Sequence, residues 1–287
     1  MSDGARPARE LVIRPTRGWF DLDLADVWRR RDLLLLLVYR EFAAKYRQTV
    51  LGPAWFVLQP LMLSAVFAVV FGGFARIPTD GAPPILFYLT GLLGWSYVAQ
   101  TFQATASTFV VNAALFGKVY FPRLVAPLST AIANFMALGL QLAVLMIFWT
   151  GFKLLTPTGH GFGLTAAIVW FPAILVQLAA IGLGAGLWLS ALTTRYRDFN
   201  FLTPFLVQVW MYATPVIYPF SRVPERWRWV AALNPMTVPT EAMKLAFLGA
   251  GEVTPTFVAV SAAMTAALLA SGLVLFNRAQ KTSADTL

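Results

Sequence analysis

The sequence predicts an all-α polytopic membrane protein. It has six transmembrane helices, an amphipathic interface helix before them, and two short helices re-entering from the outer face. Three observations carry this reading. Hydrophobic residues make up 58% of the 287 residues and charged residues 12%, with a mean hydropathy of +0.67. A soluble domain carries about a quarter charged residues, so this chain lacks the charge to cover a water-facing surface. The apolar stretches are continuous rather than alternating, which selects helices over a barrel. The net charge of +9 is placed around those stretches, which fits a membrane surface rather than nucleic acid.

Residues 1–25 form an Arg- and Asp-rich tail without an apolar block, so no leader is expected there. The first apolar block, Leu33 to Val38, lies between Asp32 and Arg40 and is too short to span. Residues 26–52 read as an amphipathic helix with Val27, Leu34, Leu37, Val38 and Phe42 on one side and cations on the other. Such a helix lies in the interface with its Arg and Lys heads at anionic headgroups. An ordinary soluble amphipathic helix is the alternative. Gly52-Pro53 then ends the surface helix and starts the next, since Pro is tolerated in a first turn. The stretch is an elbow from the membrane plane into the membrane.

Spans are expected at Ala54–Phe74, Ile85–Val111, Pro127–Phe152, Leu164–Thr193, Phe199–Tyr218 and Phe257–Phe276, within a transmembrane domain of residues 53–276. Each is close to the roughly 20 residues that cross the hydrocarbon. The fifth is short and holds Pro204 and Pro215, which predicts a bend or break. Gly182, Gly184 and Gly186 give the fourth a small-residue face for close helix packing. Residues 219–256 are too apolar for a free loop. Two short helices flanking Asn234-Pro235, within 224–249, read as a re-entrant or interfacial hairpin, with Arg226, Trp227, Arg228 and Trp229 at headgroup level. Residues 277–287 form a second tail. With both termini cytoplasmic, sixteen of the 22 Lys and Arg residues fall on the inside and six outside, as the positive-inside rule requires.

The chemistry is defined largely by what is missing. There is no Cys, so disulfides and thiolate metal sites are excluded, and the single His160 sits in a Gly-rich loop. Gly117-Lys118 is followed by Val119, so no phosphate-binding loop is present, and no nucleophile–base constellation or acidic pair occurs. The chain is not expected to be an enzyme or to hold a cofactor. An ion-driven transporter carries buried ionisable residues along its path, and the expected spans contain none. Energy for transport must therefore come from another polypeptide. The spans instead carry neutral polar and aromatic residues. Gln100, Thr101, Gln103, Thr105, Ser107 and Thr108 enrich the second, while Trp55, Phe56, Gln59, Gln208, Trp210, Tyr212 and Tyr218 mark the first and fifth. Interface belts and core packing would use such rings. A path for a polar, uncharged polymer would use them too, with rings on sugar C–H faces and amides on hydroxyls.

The blocks YREFAAKYRQTVLGPAWFVLQPL, NAALFGKVYFPRLVAPL, RYRDFNFLTPFLVQVWMYATPVIYPFSRVPERW and LNPMTVPTEAMKLAFLG resemble successive blocks of the ABC-2 type permeases. Among these the chain is most similar to the polysaccharide exporters, the O-antigen (Wzm-type), capsule and teichoic-acid permeases. The resemblance covers residues 30–276 and implies a type V exporter-like fold. It also implies a homodimer bound to two copies of a separate ATPase, which holds ATP and Mg, in a bacterial inner membrane. The implied cargo is a polysaccharide on undecaprenyl pyrophosphate. The loop 112–127 resembles the coupling segment that docks on the ATPase through Phe116, Lys118, Tyr120, Phe121 and Arg123, with Arg195 and Arg197 as a second contact. An ordinary basic loop is the alternative. Arg40, Lys45, Arg47 and Arg123 are the cations expected near the lipid pyrophosphate. The helices around Asn234 and Pro235 resemble outer gate helices. A drug or small-lipophile exporter of the same architecture is the rival reading.

Overall fold

The computed structural model describes residues 24–46, 49–116, 121–155, 161–196 and 198–284, and every regular element among them is helical. The N-terminal region divides into α1 (Leu24–Arg29) and α2 (Arg31–Tyr46). At the joint, Arg30 Nε lies 3.1 Å from the Asp26 carboxylate. Val27, Leu37 and Val38 are buried as expected, against α7 and the residues leading into it. The helix is apolar on a second side as well, because Leu35, Leu36 and Tyr39 are exposed. A run of five consecutive leucines turns about 100° per residue and therefore wraps the whole helix.

Gly52 adopts the left-handed region (φ 51°) at the expected elbow, and Pro53 opens a 3₁₀ turn that leads into α3 (Trp55–Phe67). The helix continues as π turns over Ala68–Phe74. Pro60 has no N–H for the carbonyl of Phe56, four residues back. The side-chain amide of Gln141 donates to that carbonyl instead, at 2.9 Å. A polar residue of another helix thus replaces the missing rung.

Next comes α4 (Pro84–Ala106), followed by the short α5 (Thr108–Val111) and α6 (Ala113–Phe116). The long α7 (Val125–Leu155) and a 3₁₀ turn over Ala166–Trp170 precede α8 (Phe171–Arg195). After α9 (Phe199–Ala213), the short α10 (Glu225–Leu233) and α11 (Thr237–Leu248) form a hairpin, and α12 (Pro255–Ala284) ends the described chain. Among the described residues four stretches are long and apolar enough to cross a membrane: Gly52–Phe74, Val125–Leu155, Ala166–Arg195 and Pro255–Gln280. At about 1.5 Å per residue, the 15 residues of α9 fall short of the roughly 30 Å hydrocarbon core.

The centre of the molecule is α4. It is long enough to span but more polar than α3, α7, α8 and α9, which with α11 surround it. Hydrogen bonds tie it to its neighbours: Asn134 Nδ2 donates to Thr101 Oγ1 at 3.0 Å, and Tyr97 donates to the Ala131 carbonyl at 3.1 Å, while the buried hydroxyls of Tyr88, Thr90 and Thr105 meet no partner among the described residues. Thr193 Oγ1 donates to the Ala106 carbonyl at 2.9 Å. The small-residue face of α8 is used within the chain on two sides. A Cβ on Gly186 would lie 2.4 Å from Thr105 Cβ on α4, and one on Gly272 of α12 would lie 2.6 Å from the Gly184 carbonyl oxygen. Gln177 of α8 also donates to Ser261 and Thr265 of α12, at 2.8 and 3.2 Å.

Gly272→Ala pushes a methyl into backbone that has no rotamer to yield, and Gly186→Ala pushes one into Thr105. Each is expected to cost about 1–3 kcal/mol, the usual price of overpacking. The thermal midpoint in mild detergent, read by size-exclusion chromatography, should fall for both, while Gly139→Ala, with open space at its Cβ, should leave it unchanged.

Candidate functional site

The aromatic and amide residues expected along a path divide into two groups. Trp55, Gln59, Gln208 and Tyr212 are exposed, and Phe56 is half-buried. Both α3 and α9 pack on α4 and turn the rest of their surface outward. Leu58, Met62, Val66 and Val69 are exposed on the first, and Phe201, Phe205 and Val209 on the second. Trp210 instead turns inward. Its ring meets Trp95 and Phe102 edge-on, with centroids 5.9 and 6.0 Å away, and its indole N–H donates to Asn234 Oδ1 at 2.9 Å. Tyr218 is half-buried, with its hydroxyl 3.4 Å from the Tyr212 carbonyl.

Asn234 connects α9 to the α10–α11 hairpin. Its amide nitrogen donates to the Ala213 carbonyl (3.1 Å) and to Thr214 Oγ1 (2.9 Å), and its oxygen also accepts the Met236 N–H at 3.1 Å. The expected pause at Asn234-Pro235 is thus a bonded junction, with Pro235 half-buried beside it. The carbonyl of Pro235 accepts from Ser261 Oγ of α12 at 2.9 Å. Of the hairpin's ring and cation residues, Arg226, Trp227 and Trp229 are exposed, with Trp229 edge-on to Phe257 at 5.3 Å. Arg228 is pulled back, 3.2 Å from Glu252, and also donates to the Val223 carbonyl.

Beneath the hairpin lies a pair that sequence reasoning missed. Lys244 and Glu241, both on α11, are 0% and 1% exposed and meet at 3.0 Å. The Lys244 ammonium also donates to the carbonyls of Pro215 (2.5 Å) and Tyr218 (3.4 Å) and sits 4.0 Å above the Phe87 ring of α4. Glu241 uses its other oxygen to accept the Glu252 N–H at 3.2 Å. The physical reason is the early end of α9. Past Ala213 the carbonyls have no helical donor, and a buried carbonyl needs one. Lys244 supplies it, Glu241 balances the charge, and the Phe87 ring face adds cation–π attraction. The sequence signal was an acid and a base three apart in an otherwise apolar short helix.

At the opposite, basic end Arg40 is exposed and bonds Glu41 (3.0 Å) and Asn112 Oδ1 (3.2 Å), linking α2 to the start of α6. Arg123 turns inward: it donates to the Gln280 carbonyl at 3.1 Å and lies over the rings of Phe109 and Phe116 at 5.8 and 5.5 Å. Burial pulls its pKa below the ordinary value, but a guanidinium stays charged. Phe121 is buried, with its ring centroid 5.4 Å from that of Phe116. These three residues therefore clasp the segment between α5 and α7 to α12, an arrangement spacing alone did not predict. Arg195 is exposed over the Tyr196 ring. Arg47, Lys118, Tyr120, Arg197 and the side chain of Lys45 lie outside the described residues, as does His160.

Lys244→Met strands a buried carboxylate and is expected to cost about 3–5 kcal/mol, as breaking a buried pair does. The double variant Lys244→Met with Glu241→Gln removes both charges and should recover part of that loss. The fraction of monodisperse protein after detergent extraction measures both; equal yields for the two variants would show the charge balance to be unimportant.

The model of the ABC-2 type transporter family matches residues 32–248, which run from α2 to the end of α11. The chain is 23% identical over 259 residues to the O-antigen export system permease protein RfbA of Klebsiella pneumoniae, covering 89% of this chain and 95% of that one. It is 29% identical over 213 residues to the protein of that name from Myxococcus xanthus (74% and 78% covered). It is 22% identical over 210 residues to the inner membrane transport permease YadH of Escherichia coli K12 (69% and 77% covered). A helical bundle with four stretches able to cross a bilayer, matched by this family model over most of its length, is a transport subunit: the chain belongs to the ABC-2 type transporter family.

Proposed function

We propose that this chain is the membrane-spanning permease of an ATP-driven exporter. Its cargo would be an O-antigen-like polysaccharide, carried on undecaprenyl pyrophosphate across the bacterial inner membrane. The single observation that carries the reading is the end-to-end similarity to O-antigen export permeases, which spans 89% of this chain and 95% of the relative. The chemistry of the fold supports it. The outward residues of α3 and α9 are rings, aliphatics and neutral amides, which attract sugar without trapping it by charge. The permease YadH names no cargo, and the drug-export rival gains nothing from the amides.

In this reading six helices span, with α4 and α9 completing the four apolar ones, and α9 reaches depth through its broken end at 214–218. A second copy covers the exposed apolar faces of α3 and α9. Both termini lie in the cytoplasm, where Arg40, Lys45 and Arg47 meet the lipid pyrophosphate by charge-assisted hydrogen bonds. The separate ATPase, in two copies, binds ATP and Mg and presses on the coupling segment 112–127. The Arg123 clasp transmits that push to α12 and the interface helix, opening the seam between copies. The α10–α11 hairpin, re-entrant from the outer side, gates the exit.

Disruption of the gene tests the reading. Loss of surface polysaccharide with build-up of lipid-linked glycan inside is the expected outcome, restored by the wild-type chain. Unchanged surface polysaccharide in a strain with no second exporter overturns it.

A further inference from the structure

We propose that the basic end of the bundle carries an entry pocket for the hydroxyl groups of an uncharged glycan segment, built from Gln103, Ser107, Asn200 and Thr203. This rests on the export reading above and adds to it the place and the chemistry of first contact. The cavity has a volume of about 480 Å³ and lies between the last turns of α4, the start of α5 and the first turns of α9. Ala104, Val110 and Pro204 complete its wall. The volume falls within the roughly 300–1,000 Å³ of small-ligand sites, enough for a short piece of a sugar chain.

The first argument is exposure. In α4, which the other helices surround, only Pro84 and Gln103 are exposed. A neutral amide therefore stands at the one place where the central polar helix comes to the surface at this end. The second is hydrogen-bond capacity. The side-chain amides of Gln103 and Asn200 make no hydrogen bond to any described residue, so each keeps its donors and its acceptor for a ligand. Ser107 Oγ donates to the carbonyls of Gln103 and Ala104, and Thr203 Oγ1 donates to the Phe199 carbonyl at 2.8 Å. Both hydroxyls thus have acceptor lone pairs to spare.

The third argument is Pro204. It has no N–H to give the Asn200 carbonyl, four residues back. At the equivalent break in α3 the carbonyl freed by Pro60 is taken by Gln141. At Pro204 the carbonyl that loses its helical donor belongs to Asn200, a residue that itself lines the cavity.

The fourth argument is charge. Among the described residues no Asp, Glu, Lys, Arg or His lines the cavity. A phosphate or carboxylate would find no cation among them, and a hydrocarbon chain would leave two amides without partners at a cost. A polyol both donates and accepts, and it matches every group present. The site therefore takes sugar hydroxyls, while the exposed Arg40 and its neighbours are left to the pyrophosphate.

The chain has no cysteine, so one introduced thiol reports cleanly. Ala104→Cys puts it in the wall without touching the four polar residues. Inside-out vesicles are prepared from cells that make the lipid-linked glycan and from cells lacking the enzyme that starts it. The second set retains the polyprenyl carrier. Labelling by a membrane-impermeant maleimide is expected to fall severalfold in the first set relative to the second. It should return to the unprotected rate when Gln103→Leu and Asn200→Leu are added. Val50→Cys, fully exposed at the elbow, should label equally in both. Equal labelling of Ala104→Cys with and without glycan overturns the pocket, and so does protection that survives loss of the two amides. If wild-type protein is not needed for surface polysaccharide, the export reading fails by itself. If it is needed and Ala104→Cys goes unprotected, only the pocket fails.

Discussion

The buried pair of Lys244 and Glu241 is the constraint on which the hairpin end of the molecule depends. A span that stops short leaves carbonyls without donors inside the bundle, and a low-dielectric interior penalises each. One ammonium satisfies two of them and binds the carboxylate that neutralises it. The carboxylate in turn accepts the N–H of Glu252, so the turn into α12 is tied to the same point. Gly251, at φ 145°, brings its backbone so close to the Glu241 carbonyl that a Cβ would sit 2.5 Å from it. The ends of α9, α11 and the following turn, with a ring of α4 beneath, therefore form one unit around a single charge pair. Buried pairs are weak sources of net stability but costly to break, so this unit holds together only while both charges are present.

The body of the bundle is organised differently. Between its long helices the contacts are close approaches and neutral hydrogen bonds. Gly182 and Gly186 bring α8 onto α4, Gly184 and Gly272 bring it onto α12, and Asn134, Thr101 and Thr193 bond across the remaining seams. In a lipid surround the apolar drive between helices is weak, so packing density and such bonds hold a bundle together. The Arg123 clasp then attaches the residues leading into α7 to the end of α12. The two ends of the molecule thus meet one packed body, the hairpin through α4.

Proline breaks appear in both helices that face outward, and they end differently. In α3 the carbonyl freed by Pro60 is closed by Gln141 of α7, on the buried side of the helix. In α9 the break at Pro204 lies beside Gln103 and Asn200, whose amides make no hydrogen bond to a described residue. The two helices therefore differ in how the proline break is met.

Much of this was legible in the residues. Continuous apolar runs announce helices of spanning length, because a backbone in hydrocarbon must bond to itself. Gly52-Pro53 marks the elbow, Gly182 to Gly186 the tight contact, and Asn234-Pro235 the hairpin, since each follows from the local chemistry of a few adjacent residues. The tertiary structure alone decided which way a side chain turns. Trp210 reads like Tyr212 in sequence but is bonded inward to Asn234, and Arg123 reads like Arg40 but is folded onto two rings. It also paired Lys244 with the carbonyls of a different segment. Helical periodicity tells which residues share a face, but the rotation of each helix about its axis is set by its neighbours, and that rotation separates a wall from a core.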